Sequence, residues 1–135
     1  MKIIIYTDGA SRGNPGHASY GFTIADEKGN LLHEEGAYIG IATNNAAEYT
    51  GVYEALKKVK ESFKKRGQIE LFADSKLVAE QLSGRYKIKS PNLKPIIEKI
   101  KILVLELGGV FFTHVPREKN IRADSLANEA LDNRS

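Results

Sequence analysis

The chain of 135 residues contains no cysteine. That removes disulfides, thiolate zinc sites and thiol nucleophiles together. No apolar run approaches the length needed to cross a bilayer, and the opening MKIIIYTDG turns polar too soon for a signal peptide. The glycine-rich stretch GASRGNPG lacks the lysine and Ser/Thr of a phosphate-binding P-loop. It also leads into a predicted strand, where both common phosphate motifs lead into a helix. There is no Gly-x-Ser-x-Gly elbow for a serine hydrolase. His33-Glu34-Glu35 fails as a zinc-helix motif, because position 37 is Ala and the segment reads as a strand. No repeat, low-complexity tract or Pro/Gly/Ser-rich linker divides the chain. The expectation is a single domain over residues 1–135, soluble and cytoplasmic, with no membrane association.

What is present is an ordinary globular composition, 41% hydrophobic and 27% charged, with a net charge of +3 that permits a polyanionic partner. Residues 2–7 (KIIIYT) are apolar almost without alternation, as in a strand buried on both faces. DGASRGNPG (8–16) reads as turn chemistry. Residues 18–26 and 31–39 read as a hairpin around DEKGN. From Asn44 to Arg66, Tyr49, Val52, Tyr53, Leu56, Val59 and Phe63 recur at helical spacing. A strand at 69–73, helices at 75–82 and from 91 or 92 to 106, a strand at 110–115 and a helix at 120–131 complete the pattern. The order β-β-β-α-β-α-α-β-α predicts an α/β fold of mixed α+β order: a five-stranded mixed sheet with helices on both faces.

With those chemistries excluded, carboxylates remain, and among seventeen acids only placement can select the useful ones. Asp8 ends the buried first strand, where a turn-forming role would also suit it. Glu48 stands three residues after Asn45, as a capping-box partner would, yet it shares a helix face with Val52, Ala55 and Val59. Asp74 follows the apolar strand IELFA, where an N-cap is the simple explanation. Asp124 lies on the stripe of the last helix that carries Ala127 and Leu131 and should be apolar. Clustered, such acids would raise one another's pKa and lose water, a penalty that divalent cations remove. Magnesium prefers hard oxygen ligands, and two such ions can serve both the attacking and the leaving oxygen of a phosphodiester.

The segments TDGASRGNPG (7–16), TNNAAEY (43–49), ADSKLV (73–78) and HVPREKNIRAD (114–124) together resemble the type 1 ribonuclease H family, from Tyr6 to about Leu131. The resemblance implies a ribonuclease H-like three-layer fold. It implies a monomeric two-metal endonuclease that cuts the RNA strand of RNA/DNA hybrids, leaving 5′-phosphate and 3′-hydroxyl ends. The expected cofactor is Mg2+, two ions per site, with Mn2+ as a substitute. By the same resemblance Asp8 would bridge both ions, Asp124 would stand beside the ion that activates water, and Glu48 and Asp74 would hold the other. Substrate contacts fall on Asn14, Asn44 and Asn45, with weaker claims for Ser11, Arg12, Thr43 and Lys76. Amides suit this work, since they can hydrogen-bond 2′-hydroxyls and minor-groove edges without reading sequence.

Many family members carry an auxiliary His ten residues before the last acid, which assists proton transfer or product release. His114 has that spacing, and Arg117 in the following loop is weighted slightly above it. A basic handle found in some bacterial relatives is missing. Only GRYKIKS (84–90) stands in its place, so Arg85, Lys87 and Lys89 would help grip the substrate. The lysines of 57–66 read as a solvated helix face, and His17 and His33 as surface or packing residues. Two alternatives remain. One is a catalytically silent module binding hybrid or double-stranded RNA on the same fold. The other is a proofreading exonuclease, against which Asp8-Gly9-Ala10 stands in place of that group's Asp-x-Glu.

Overall fold

The first strand outruns its apolar stretch. In the computed structural model, which describes residues 1–85, 87 and 90–134, β1 (Ile3–Gly13) turns through Asn14 and Pro15 into β2 (Gly16–Asp26). Asp8 stands opposite Gly21, and Gly13 opposite Gly16. The stretch expected to be a turn is therefore mostly strand, because pairing along the whole of β2 overrides the local turn preference of its Gly, Ser and Asn residues. The expected hairpin to β3 (Leu31–Ala42) forms, its turn held by Asp26, whose carboxylate accepts from the amides of Lys28 and Asn30, both at 2.9 Å.

The remaining elements are α1 (Asn44–Ser62), β4 (Ile69–Ala73), α2 (Lys76–Leu82), α3 (Lys94–Glu106), β5 (Phe111–His114) and α4 (Ile121–Asp132). α1 ends four residues before the expected Arg66. Phe63 leaves helical geometry to pack against the core, and Arg66 caps the exit by donating to the Phe63 carbonyl at 3.0 Å. The sheet order is β3-β2-β1-β4-β5, antiparallel among the first three strands and parallel from β1 through β4 to β5. This is the mixed five-stranded sheet that the sequence pattern predicts.

The two faces are packed differently. On one, Ile3, Ile5, Phe22, Ile24 and Leu71 meet Val52, Leu56 and Val59 of α1, with Ile97 and Ile100 of α3 behind. Each such buried side chain contributes about 1.5–3 kcal/mol, so this face carries most of the hydrophobic stabilisation. On the other face α4 lies almost directly on the sheet backbone. A Cβ at Gly21 would stand 2.4 Å from the Ala123 carbonyl oxygen, and one at Gly36 2.5 Å from that of Leu126. Ser19 fixes the contact by donating to the Ala127 carbonyl at 2.5 Å. Among the described residues, no helix is long and apolar enough to cross a membrane.

Candidate active site

The site forms where the two central parallel strands deliver acids to one end of the sheet. Asp8 lies within β1, and Asp74 immediately follows β4. Glu48 enters from the second turn of α1, whose start lies against β1 because Gly9 has no side chain: a Cβ there would stand 2.4 Å from the Glu48 nitrogen. Carboxylate oxygens of Asp8, Glu48 and Asp74 lie within 4.8 Å of one another. Asp124, in the first turn of α4, lines the same cleft of about 650 Å³ without joining that trio.

The simple explanations for these acids do not hold. The N-cap of α1 is Thr43, whose hydroxyl accepts from the Ala46 amide at 3.1 Å, so Glu48 is no capping partner. The N-cap of α2 is Ser75, which leaves Asp74 uncapping. Asp8 sits inside a strand, not in a turn, and is 3% exposed. Glu48 Oε2 and Asp74 Oδ2 are buried with no hydrogen-bond partner among the described residues. Such oxygens are costly to bury, and a bound cation would satisfy them.

Burial pushes the Asp8 carboxyl up from 3.8 to about 10, with the charges of Glu48 and Asp74 adding to it. Burial likewise lifts Glu48 from 4.5 to about 7; a hydrogen bond with Asp8 opposes the rise, the Asp74 charge adds to it, and the Gly9 amide and the Arg117 charge oppose it. Without a cation, burial and mutual repulsion hold the Asp8–Glu48 pair well above the usual carboxylate range, which favours a proton within the pair. These hard oxygen donors, crowded and partly unpartnered, fit a divalent ion such as magnesium.

The other expected residues divide. Ser11, Asn44, Asn45 and Arg117 line the cleft with the acids. Asn14 lines an adjoining groove with Thr43, Asn44 and Asn45, and its Oδ1 accepts from the Asn44 amide at 3.1 Å. Thr43 spends its hydroxyl on the helix cap, and Arg12 forms an ion pair with Asp132 at 2.5 Å. Lys76 is exposed on α2, and His114 is exposed at the end of β5; neither lines the cleft. Arg85 pairs with Glu80 at 3.3 Å, and Lys89 lies outside the described residues.

Two asparagines escaped the sequence reading. Asn128, four residues after Asp124 and so on the same helix face, donates to the Asp124 side chain at 3.3 Å and lines the cleft. That spacing could have found it. Asn120 is 1% exposed and donates to the Thr7 carbonyl at 2.8 Å, fastening the start of α4 to the strand residue before Asp8. Asn120→Ala leaves that buried carbonyl unpaired and should cost about 1–3 kcal/mol in a thermal melt. Asn120→Asp, which sets a carboxylate against the carbonyl, should cost more at neutral pH than Asn120→Ala.

A mixed five-stranded sheet with acids gathered just past the end of the parallel pairing between β1 and β4 defines the class, and residues 6–130 match the family described as reverse transcriptase-like. Within that class the chain belongs to the ribonuclease H family. It is 32% identical to a ribonuclease H of Clostridium botulinum, over 97% of this chain and 96% of that protein. It is 42% identical to a bifunctional protein of Mycobacterium tuberculosis, over 98% of this chain but 36% of that protein. The chain thus spans about a third of the length of that relative. Among solved structures, LC11 ribonuclease H1 in complex with an RNA/DNA hybrid superposes with a TM-score of 0.92 at 49% identity, covering 96% of both chains.

Proposed function

We propose that the chain is a metal-dependent endoribonuclease that hydrolyses the RNA strand of RNA/DNA hybrids, leaving 5′-phosphate and 3′-hydroxyl ends. The observation that carries this is the trio Asp8, Glu48 and Asp74, its carboxylate oxygens within 4.8 Å and two of them unpartnered. The hybrid bound by the similar LC11 enzyme supports the choice of substrate. Two Mg2+ ions, or Mn2+ in their place, would make a water nucleophilic at neutral pH and stabilise charge on the attacking and leaving oxygens. Asp8, Glu48 and Asp74 would hold metal, and Asp124, steadied by Asn128, would supply the fourth carboxylate at the rim of the cleft. Asn44 and Asn45, on the wall shared by the cleft and the adjoining groove, would hydrogen-bond the hybrid's minor-groove edge. Arg117 would meet phosphate at the cleft mouth, a role for which His114 is less well placed. The same reading has the protein acting as a monomer in the cytoplasm.

A catalytically silent binding module would gain nothing from buried acids that repel phosphate. Labelled RNA/DNA hybrid, RNA duplex and DNA duplex, each with Mg2+ or EDTA, separate the readings on one gel. Cleavage of the hybrid's RNA strand alone, and only with metal, is expected. Metal-independent binding without any cleavage would favour the silent module.

A further inference from the structure

The sheet face beneath α4 is only partly covered. α4 packs on β2, β3 and β1, while the same face of β4 and β5 lies open. Pairing places Tyr6 beside Phe72 and Thr113, and Ile4 beside Glu70 and Phe111. The open face therefore carries three aromatics, none of which belongs to the hydrophobic core on the other side. Tyr6 and Phe72 stack with centroids 5.1 Å apart and planes at 22°, and Phe111 is 61% exposed. Lys119 and Tyr6 line one cavity of about 220 Å³ at the edge of this patch, and Lys119 has no ion pair among the described residues. Glu70, between these aromatics, pairs with Lys2 at 3.0 Å, and among the described residues the next acids along these two strands are Asp8 and Asp74 of the cleft.

The patch is continuous with the active cleft. Two residues beyond Tyr6 stands Asp8, and two residues beyond Phe72 stands Asp74, about 7 Å along each strand. The short turn Arg117–Lys119 borders both, with Arg117 in the cleft and Lys119 at the aromatic patch. An open sheet bearing aromatic rings beside a cation is a surface on which unpaired bases stack, independent of sequence. We propose that Tyr6, Phe72 and Phe111, with Lys119, form a platform for single-stranded nucleic acid: the unpaired tail of a strand whose paired part lies in the cleft. This rests on the nuclease reading for its occupant, and its test is independent of cleavage.

The probe is a fluorescent oligonucleotide of about 12 nucleotides, as RNA and as DNA, titrated by anisotropy with the full chain in EDTA. Phe111→Ala, Phe72→Leu and Lys119→Ala should each weaken binding, the two aromatic changes by about fivefold or more. Lys57→Ala, on the opposite side of the sheet, should leave it unchanged. Phe111→Ala and Lys119→Ala change exposed side chains, and thermal melts confirm the fold of each variant. With Mg2+, wild type should show a lower KM for a hybrid carrying an RNA or DNA overhang than for a blunt one. That advantage should vanish in Phe111→Ala while kcat on the blunt hybrid stays the same. A weaker effect of the patch changes on DNA than on RNA would assign the tail to the RNA strand, and the reverse to the DNA strand. Equal oligonucleotide binding by wild type and all patch variants, or no binding by wild type, overturns the platform and leaves the face to a protein partner. Intact oligonucleotide binding without hybrid cleavage would instead sink the enzymatic reading alone.

Discussion

Asp8→Asn should abolish cleavage and yet melt at a higher temperature than the natural chain in EDTA. On the proposed reading Asp8 holds metal, and losing that carboxylate would remove several kcal/mol of transition-state stabilisation, hundreds- to thousands-fold in kcat. The stability gain follows from the crowding of Asp8, Glu48 and Asp74. Asp8 rises in the fold from 3.8 to about 10, so the folded state binds a proton that the unfolded chain has released. A group raised in this way contributes stability that is full below about pH 4 and is lost as pH climbs toward 10; Glu48 adds to the loss between 4.5 and about 7. Metal-free wild type should therefore lose melting temperature steadily from pH 4 to 9. Asp8→Asn carries a neutral side chain of the same shape, so its profile should be flatter and lie about 5 °C or more higher at pH 7. Saturating Mg2+ should narrow or reverse that gap, since on the proposed reading the ion would bind the ionised acids of the wild type. Scanning calorimetry of both proteins at several pH values, in EDTA and in Mg2+, measures all of this. If Asp8→Asn melts below wild type in EDTA, Asp8 is holding the strand and does not belong to a repelling cluster.

Two of the acids were legible as local misfits, while Asp8 and Asp74 had ordinary local explanations and were selected by the family resemblance. Asp124 breaks an apolar helix stripe, and Glu48 shares its helix face with Val52. A misfit of that kind is visible without knowing the partner. The order of strands and helices along the chain was legible because period and spacing are local properties, and three consecutive strands followed by alternation pointed to a mixed sheet; the order of strands across the sheet was not read. What stayed hidden depends on contacts between distant segments. Asn120 finds the Thr7 carbonyl across 113 residues, and Arg12 finds Asp132 across 120. Arg12, to which the resemblance gives a weaker claim on substrate, pairs with Asp132 of α4, a partner that no local pattern points to. The extension of β1 to Gly13 has the same origin. Its composition favours a turn, and only the facing length of β2 makes it a strand.

The glycines show the same blind spot with the largest consequence for the site, and Gly9→Ala should reveal it. In sequence Gly9 reads as turn chemistry after Asp8; in the fold it is a strand residue on which the first turns of α1 rest. A methyl there would stand 2.4 Å from the Glu48 nitrogen and 2.5 Å from the Ala47 carbonyl carbon, both backbone atoms with no rotamer to yield. The helix must move away from β1, and Glu48, which has to reach the Asp8 carboxylate, moves with it. Overpacking of this kind costs about 1–3 kcal/mol or more, which lowers the melting temperature of a chain this size by roughly 5–10 °C. The effect on cleavage should be larger, about a hundredfold even well below the melting transition, because a shift near 1 Å is enough to spoil a reacting geometry. Gly29→Ala is the comparison. Its φ of +84° strains any L side chain, but nothing lies within 4 Å of the added Cβ. It should lose about 1–2 kcal/mol of stability and keep its activity. Melts and hybrid-cleavage rates of the two variants at one temperature, where both are folded, test the difference. Full activity in folded Gly9→Ala would mean that the approach of α1 to β1 does not set the position of Glu48.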